Sequence, residues 1–287
     1  MKITVWGSRG SICSPGSKTI RYGGNTTCLE LRTTTGRLVV VDAGSGLRYL
    51  GKQLMKEPGV KDIIFVLTHS HWDHLIGFPF FAPAYKPEYN ISLCGGPAAR
   101  DSIRKYLGHQ MSAPYFPVDF SIMKARFTYG CACPSDRCEG KLEGFLDFNE
   151  CSSLPLNHPN GGYGFKFVDR GKTFVFLTDN ELRFQHEGGL AREQYVEFCR
   201  GADILFHDAQ YTEAEYVHTQ GWGHSTYLDA IELAVDARVK RLGLFHHDPD
   251  RSDDDLDQQV NFCRDRLSLA GREVDCFAVA DGMKLEI

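Results

Sequence analysis

The sequence predicts a mixed α/β fold in which strands and helices pack as the layers of a sandwich. The first half of the chain contains mainly short apolar runs that end in glycine or polar turns, and in the second half helical patterns alternate with such runs. This order is typical of an α/β sandwich rather than of a doubly wound sheet. No Gly-x-Gly-x-x-Gly run follows the first strand, so the sequence does not favour a dinucleotide-binding fold.

The predicted strands are apolar runs bounded by turn residues, and the predicted helices carry apolar residues at helical spacing. Strands are predicted at 3–5, 27–32, 38–42, 63–68, 91–93, 164–168, 173–178, 204–207, 241–246 and 276–278. Helices are predicted at 45–57, 97–107, 190–199, 225–238 and 253–270. The last helix begins with a run of acidic residues, which the helix dipole favours at that end.

Length and composition fit one globular domain. The 287 residues contain no internal repeat or linker-like run, so we expect a single domain over 1–287. No apolar run approaches the roughly 20 residues that a membrane helix needs. The apolar segment at the N-terminus is too short for a signal peptide, so we expect a cytoplasmic protein with no membrane partner.

The charge of the chain argues against tight, sequence-independent binding to nucleic acid. The formal net charge is -5, and no block of Lys or Arg is longer than two residues. Such binding depends on many contacts between basic side chains and phosphates. A small anionic substrate held by metal ions is compatible with this composition.

A run of four potential metal ligands directly follows a predicted buried strand. His69 and His71 stand two residues apart, and Asp73 and His74 follow on the next turn. Side chains two apart on extended backbone point to the same side. Three imidazoles and one carboxylate within six residues suit zinc better than magnesium or calcium. A loop that is merely rich in histidine would leave the aspartate and the preceding strand unexplained.

The spacing His-x-His-x-Asp-His resembles that of the metallo-β-lactamase superfamily, and the resemblance extends along nearly the whole chain. It implies a four-layer αβ/βα sandwich whose later ligands come singly from strand ends. His158 stands before a glycine turn, while Asp179 and His246 each end a predicted strand. Any one of these three residues alone would be better explained as a turn or capping residue.

The resemblance implies a dinuclear site with two divalent metal ions, zinc being favoured over manganese or iron. The expected ligands are His69, His71 and His158 for one ion, Asp73, His74 and His246 for the other, and Asp179 for both. His247 is the alternative to His246, which we prefer because it is in register with the end of its strand.

Further segments resemble the phosphodiesterase, ribonuclease Z-like branch of the superfamily. Asp208 and the His-Ser-Thr histidine, His224, stand where that branch has residues that assist the phosphate. The alternatives are that Asp208 orients a ligand histidine and that His224 merely precedes a helix cap at Ser225. The glycine-rich turns near the N-terminus would let backbone approach the metal cleft, and Asp42 would accept a hydrogen bond from a ligand histidine.

The resemblance implies hydrolysis of a phosphodiester, because two cations can activate a shared water and clamp a phosphoryl group. Asp73, Asp208 and His224 are the expected catalytic residues, with Asp73 as orienter or base and His224 facing the leaving oxygen. No basic arm for gripping tRNA is visible, so we expect a small substrate such as a cyclic nucleotide. The alternatives are a ribonuclease Z-type RNA endonuclease and a lactone or thioester hydrolase.

An insertion at about 76–153 is expected to distinguish this chain within the group. Its aromatic residues Phe80, Phe81 and Tyr85 could stack a base, although such residues more often belong to a core or to the interface of the homodimer that we expect. The insertion includes a cysteine-bearing segment at 131–151, with Cys131, Cys133, Cys138 and Cys151. Their spacing fits a structural zinc site poorly, so free thiols in a surface insertion are favoured over a third metal. The six other cysteines suit buried positions.

Overall fold

Thirteen strands in two sheets form the centre of the chain in the computed structural model, which describes residues 1–95, 99–129 and 148–287. The strands are β1 (Lys2–Gly7), β2 (Cys28–Arg32), β3 (Leu38–Val41), β4 (Asp62–Leu67), β5 (Asn90–Gly95), β6 (Arg126–Tyr129), β7 (Glu150–Pro155), β8 (Tyr163–Asp169), β9 (Lys172–Leu177), β10 (Ile204–Asp208), β11 (Arg241–Phe245), β12 (Asp275–Ala278) and β13 (Lys284–Glu286). The helices are α1 (Leu47–Leu54), α2 (Trp72–Leu75), α3 (Ala99–Gln110), α4 (Arg192–Cys199), α5 (Glu213–Thr219), α6 (Tyr227–Asp236) and α7 (Asp253–Leu269).

Each sheet has an antiparallel part and a parallel part. The first sheet has the order β13-β1-β2-β3-β4-β5-β6, and its strands are parallel from β3 to β6. The second sheet has the order β12-β11-β10-β9-β8-β7, and its strands are parallel from β9 to β12. Because parallel strands begin and end at the same edges, the residues that follow β9, β10 and β11 leave one edge of the second sheet together.

The two sheets pack face to face, with helices on both outer sides. In β4, Ile64 and Val66 belong to the core between the sheets, whereas Ile63 and Phe65 belong to the outer core under α1 and α3. The same alternation places Phe206 of β10 in the central core. Successive side chains of a strand point to opposite faces, and a strand buried on both faces is apolar throughout. This arrangement confirms the predicted four-layer αβ/βα sandwich.

All ten predicted strands and all five predicted helices are present, with ends that differ by a few residues. The sequence analysis missed β6, β7, β13 and the short helices α2 and α5. In the described ranges, no helix combines the length and the apolar character that crossing a bilayer requires.

Candidate metal centre

The histidine-rich run lies where β4 ends and α2 begins. His69 follows the strand, and His71 occupies the extended residue immediately before α2. Asp73 and His74 lie in the first turn of α2, and both are buried. The change from extended to helical backbone turns the four side chains toward different parts of one cleft, which explains their close sequence spacing.

One group of potential ligands contains three imidazoles and a carboxylate. The ligating atoms of His69, His71, His158 and Asp179 all lie within 4.8 Å of one another. Nε2 of His69 is 3.5 Å, and Nε2 of His158 is 3.6 Å, from Asp179 Oδ2. His158 Nε2 is 3.0 Å from His71 Nδ1. The structure thus brings together all the residues predicted for the first metal ion.

A second group faces the other oxygen of the same aspartate. Nε2 of His74 and Nε2 of His246 lie 3.2 Å and 3.3 Å from Asp179 Oδ1. The same two nitrogens lie 3.3 Å and 3.2 Å from Asp73 Oδ2. Asp179 therefore contacts both groups, one with each oxygen, in the arrangement expected of a carboxylate shared between two ions.

The donor set fits divalent cations. Nε2 of His69 and Nε2 of His74 are buried and, among the described residues, have no partner with acceptable hydrogen-bond geometry. A buried polar atom without a partner is costly, so it indicates a ligand at that point. Imidazole nitrogens and carboxylate oxygens are donors that zinc accepts, and manganese and iron also bind such groups.

The electrostatics of the cleft favour bound positive charge. Burial lowers the pKa of His158 to about 4 and that of His69 well below its ordinary value, so both rings are neutral, as metal ligands must be. Burial alone would raise the pKa of Asp179, but the His246 and His74 imidazoles hold it well below the usual range. Burial also disfavours the charged form of His74, yet the nearby Asp73, Asp179 and Asp42 carboxylates raise its pKa well above 6.5. The three carboxylates around His74 carry negative charge that a bound cation would neutralise.

The second ring nitrogen of three predicted ligands is held by an acceptor. His74 Nδ1 donates to Asp42 Oδ2 at 2.8 Å, and His246 Nδ1 donates to Gln210 Oε1 at 2.9 Å. His158 Nδ1 donates to the carbonyl oxygen of Gly223 at 3.0 Å. Such contacts fix the tautomer that leaves Nε2 free to bind a metal. Asp42 has the orienting contact that the sequence analysis expected.

His246, and not its neighbour His247, contacts the cleft. His247 is buried elsewhere, where its Nε2 donates to the carbonyl oxygen of Val279 at 2.8 Å. Burial lowers the pKa of His247 to about 3, so this ring is a neutral structural group. The geometry agrees with the choice of His246 as the residue facing both aspartates.

Three of the cleft residues turn the chain sharply at strand ends. Asp42, Asp179 and His246 follow β3, β9 and β11, and their φ angles are 61°, 52° and 58°. Left-handed backbone is uncommon for residues other than glycine and is concentrated at functional sites. At these positions it directs the side chain into the cleft as soon as the strand ends.

His224 and Asp208 form a buried pair beside the second group. His224 Nδ1 lies 2.6 Å from Asp208 Oδ2, and the ring of His224 stacks on that of His246 with centroids 4.8 Å apart. Burial lowers the pKa of His224, but the Asp208 carboxylate more than offsets this effect and raises it to about 9. Asp208 therefore orients a histidine, although that histidine is His224 and not one of the predicted metal ligands.

The alternative explanation of His224, that it merely precedes a helix cap at Ser225, is wrong about the cap. The residue that caps α6 is Thr226, whose side chain accepts a hydrogen bond from the backbone of Asp229. Ser225 Oγ instead donates to the carbonyl oxygen of Asn180 at 2.6 Å and accepts from the backbone of Leu182 at 3.0 Å. Ser225 thus ties the segment that carries His224 to the segment that follows Asp179.

Sequence reasoning missed Glu181. This fully buried carboxylate accepts hydrogen bonds from the backbone of Gly221 at 2.7 Å and Gly223 at 2.8 Å, and from the Tyr216 hydroxyl at 2.7 Å. It anchors the loop before His224. In the sequence, Glu181 is distinguished only by its position two residues after Asp179, in the segment that follows a buried strand.

The glycine-rich turns near the N-terminus approach the cleft as expected. A Cβ on Gly10 would lie 2.4 Å from His246 Nδ1, and one on Gly44 would lie 2.4 Å from the carbonyl oxygen of Asp73. Ser11, next to Gly10, donates its backbone N–H to Asp73 Oδ2 at 2.9 Å. Ser11 and Gln210 are further site residues that the sequence analysis did not name.

The expectations for the insertion have mixed outcomes. Phe81 is fully buried in the outer core, so stacking on a base is wrong for this residue, and the Tyr85 hydroxyl donates to the carbonyl oxygen of Pro79. Phe80 is 54% exposed.

Cys151 is buried in β7 and so does not belong to a surface segment. The other three cysteines of the cluster, Cys131, Cys133 and Cys138, lie outside the described residues. Of the six scattered cysteines, Cys13 is partly exposed and the rest are buried.

Comparisons with known proteins agree with this geometry. A family model described as a β-lactamase superfamily domain matches residues 37–247, which include every predicted metal ligand. A ribonuclease Z from Nanoarchaeum equitans is 24% identical over 248 residues, which cover 75% of each chain.

Two solved structures are similar over the whole chain. The short form of human tRNase Z has a TM-score of 0.65 and 21% identity, and the match covers 100% of this chain and 99% of that one. A diphosphatase of the PhnP family has a TM-score of 0.64 and 20% identity, with 100% and 97% of the two chains covered. At these identities the structural matches establish the fold.

Proposed function

Because the chain belongs to the metallo-β-lactamase superfamily of hydrolases, we propose that it is a dinuclear metal-dependent phosphodiesterase that acts on a small phosphodiester. The observation that carries this proposal is the buried His224–Asp208 pair beside the two groups of predicted ligands. A hydrolase of this fold needs more than metal ligands when the leaving group is a poor one. An alkoxide leaves readily only if it receives a proton, and a positioned imidazole is a common donor.

Two divalent cations held by His69, His71, His158, Asp73, His74, His246 and Asp179 would lower the pKa of a water and neutralise charge on the phosphoryl oxygens. The protein's part is to hold these seven side chains in place. Asp42, Gln210 and the carbonyl of Gly223 fix three of the rings through their Nδ1 atoms. This preorganisation is worth more in a buried cleft than in water, because the groups need not reorganise during the reaction.

In the proposed reaction Asp73 orients the attacking water and His224 supplies the proton to the departing oxygen. Ser11 N–H holds one oxygen of the Asp73 carboxylate at 2.9 Å. Asp208 favours the protonated form of His224, because its carboxylate raises the pKa of the ring. The proton that His224 transfers is the one on Nε2, because the N–H at Nδ1 donates to Asp208. His224 returns to the protonated form by taking a proton from solvent.

The small size of the proposed substrate rests on charge. The net charge of -5 and the lack of basic runs do not favour a long polyanion, whose binding depends on many Lys and Arg contacts. The alternative is a ribonuclease Z-type endonuclease. This alternative is supported by the similarity to the Nanoarchaeum equitans protein, a ribonuclease Z whose match covers three quarters of this chain.

An assay of metal-loaded protein on a panel of substrates separates these functions. The panel contains bis-p-nitrophenyl phosphate, cyclic mononucleotides, a precursor tRNA, a lactone and a β-lactam. We expect turnover of the diesters, with cyclic mononucleotides preferred to the tRNA. Cleavage of the tRNA in preference to every small diester would support the endonuclease, and turnover only of the lactone or β-lactam would overturn the proposal.

A further inference from the structure

A concave cavity of about 460 Å³ lies beside the metal centre, between α2, the turn that follows it and the C-terminal end of α3. Its walls are mainly aromatic and include Trp72, Phe80, Tyr106, Tyr115 and Phe116. Its volume falls within the range of pockets that bind small organic molecules. The proposed phosphodiester chemistry accounts for none of these side chains.

The aromatic walls are unusually exposed. Trp72 is 75%, Tyr115 66% and Phe80 54% exposed. Two of these rings are braced by neighbours: the ring centroids of Phe80 and Phe116 lie 5.7 Å apart in an edge-to-face contact, and those of Tyr115 and His109 lie 5.6 Å apart. Braced aromatic rings in a concave wall lose little entropy on binding, and contiguous exposed apolar surface indicates an interaction site.

A polar group accompanies the rings. Gln110, the last residue of α3, also lines the cavity, and its Nε2 is buried without a hydrogen-bond partner among the described residues. Buried amide groups are nearly always paired in folded proteins. No hydrogen bond holds this amide nitrogen in its buried position, so a small rotation of the side chain would present it to the polar edge of a planar ring in the cavity.

The cavity adjoins the predicted ligands through the chain itself. Ser70 and Trp72 line it, and they alternate with His69, His71 and Asp73. Helix α2 separates the two spaces, since Trp72 lines the cavity whereas Asp73 contacts His74 and His246. A molecule that occupies both places would pass the start of α2, where Ser70 and Trp72 line the cavity and His71 belongs to the first group of ligands.

We infer that this cavity binds the nucleobase of the substrate, so that the phosphodiester is a nucleotide. The inference rests on the proposed function and names its substrate class. Proteins that hold a single base stack it on aromatic side chains and read its edge by hydrogen bonds. Here Phe80, Tyr115 and Trp72 would supply the stacking surfaces, and the Gln110 amide would contact the edge of the base.

The test compares two diesters with the same leaving group, thymidine 5′-(p-nitrophenyl phosphate) and ethyl p-nitrophenyl phosphate, on metal-loaded protein. We expect kcat/KM to be about 10-fold or more higher for the nucleotide, as base stacking on aromatic side chains implies. The double variant Phe80→Ala/Tyr115→Ala is expected to bring this ratio close to one. Gln110→Leu keeps the rings and is expected to lower the ratio by about 3- to 10-fold. The matched control is Tyr49→Ala, which removes an exposed tyrosine on α1 outside the cavity and is expected to leave the ratio unchanged.

A binding measurement without turnover separates the inference from the proposed function. Thymidine, which has no phosphodiester to hydrolyse, is titrated into metal-loaded protein and followed by saturation-transfer NMR, in the wild type and in the double variant. Binding that disappears in the double variant supports the cavity even if neither diester is hydrolysed. Hydrolysis of both diesters at equal kcat/KM, with no thymidine bound, overturns the inference and leaves the phosphodiesterase standing. Sedimentation of the wild type and the double variant tests one other occupant of the cavity. A dimeric wild type and a monomeric double variant, with the ratio of kcat/KM values unchanged, would show that the aromatic walls bind a second copy of the chain. That result would also overturn the inference.

Discussion

His224 Nδ1 and Asp208 Oδ2 lie 2.6 Å apart, and both residues are buried beside the predicted metal ligands. Asp208 is further held by the backbone N–H groups of Gln210 at 3.1 Å and Asn180 at 3.3 Å. The carboxylate is therefore fixed before any substrate arrives, and it fixes His224 in turn. The pair therefore has the fixed geometry that an oriented acid requires, although Asp208, His224 and His246 also lie close enough together to share a cation.

Replacing Asp208 by Asn should shift the pH dependence of the reaction. Asp208 raises the pKa of His224, so the protonated ring persists to higher pH with it than without it. In Asp208→Asn the pKa of His224 falls, and the alkaline limb of kcat/KM against pH moves to lower pH, by roughly 1–3 units. An alkaline limb that stays in place while the rate falls uniformly would show that His224 does not act as the acid.

Replacing Asp179 by Asn should remove metal from both sides of the centre. The two Asp179 oxygens face different groups, at 3.2–3.3 Å from His74 and His246 and at 3.5–3.6 Å from His69 and His158. Elemental analysis of the purified variant is expected to find one ion or none per chain, against two in the wild type. Asp275→Asn, at an exposed position, is the control that should keep both ions. Two ions retained in Asp179→Asn would rule out the shared carboxylate.

Replacing Glu181 by Gln should lower activity through the loop that carries His224. The Glu181 carboxylate accepts two backbone N–H groups of that loop, and hydrogen bonds to a buried charge contribute about 1.5–3 kcal/mol each. We expect the free energy of unfolding to fall by about 2 kcal/mol.

We also expect kcat in Glu181→Gln to fall by about 10-fold, with a smaller change in KM, because catalytic groups tolerate little displacement. Chemical denaturation and steady-state kinetics measure these effects. Glu197→Gln, at a side chain that is 71% exposed, provides the comparison. A variant that loses stability but keeps the wild-type kcat would make Glu181 a purely structural residue.

Removing metal with a chelator should destabilise the fold. The buried Nε2 atoms of His69 and His74 lack hydrogen-bond partners among the described residues, so a bound ion stabilises the folded state directly. A ligand at 100 times its Kd adds about 2.7 kcal/mol to the free energy of unfolding. The Tm should therefore fall on chelation and rise again as zinc is added back. A Tm that is independent of zinc concentration would contradict the assignment of the centre.

Much of the fold and of the metal centre follows from local sequence pattern. The apolar run of β4 followed by His69 and His71, and the single residues Asp179 and His246 at the ends of later strands, are visible without a structure because parallel strands deliver their ends to one edge. Helix α5 was missed, although the capping box formed by Thr212 and Glu215 is readable in the sequence.

The supporting contacts could not be predicted in the same way. The Gln210–His246 contact joins residues 36 positions apart, and the Ser11–Asp73 contact joins residues 62 positions apart. Neither Gln210 nor Ser11 belongs to a pattern of its own, and each acquires its role only when the sheets pack. Edge strand β13 is short and half-exposed, so its three residues carry too little periodicity to identify a strand.

The most direct test of the account combines metal content and turnover in His224→Ala. We expect the variant to retain two ions per chain. On a diester with an alkoxide leaving group, kcat should fall by roughly 10²–10⁴, whereas on bis-p-nitrophenyl phosphate it should fall less, because p-nitrophenolate leaves without a proton. Loss of an ion would make His224 a ligand, and an equal loss of kcat on both substrates, or none on either, would contradict its role as the acid of a phosphodiesterase.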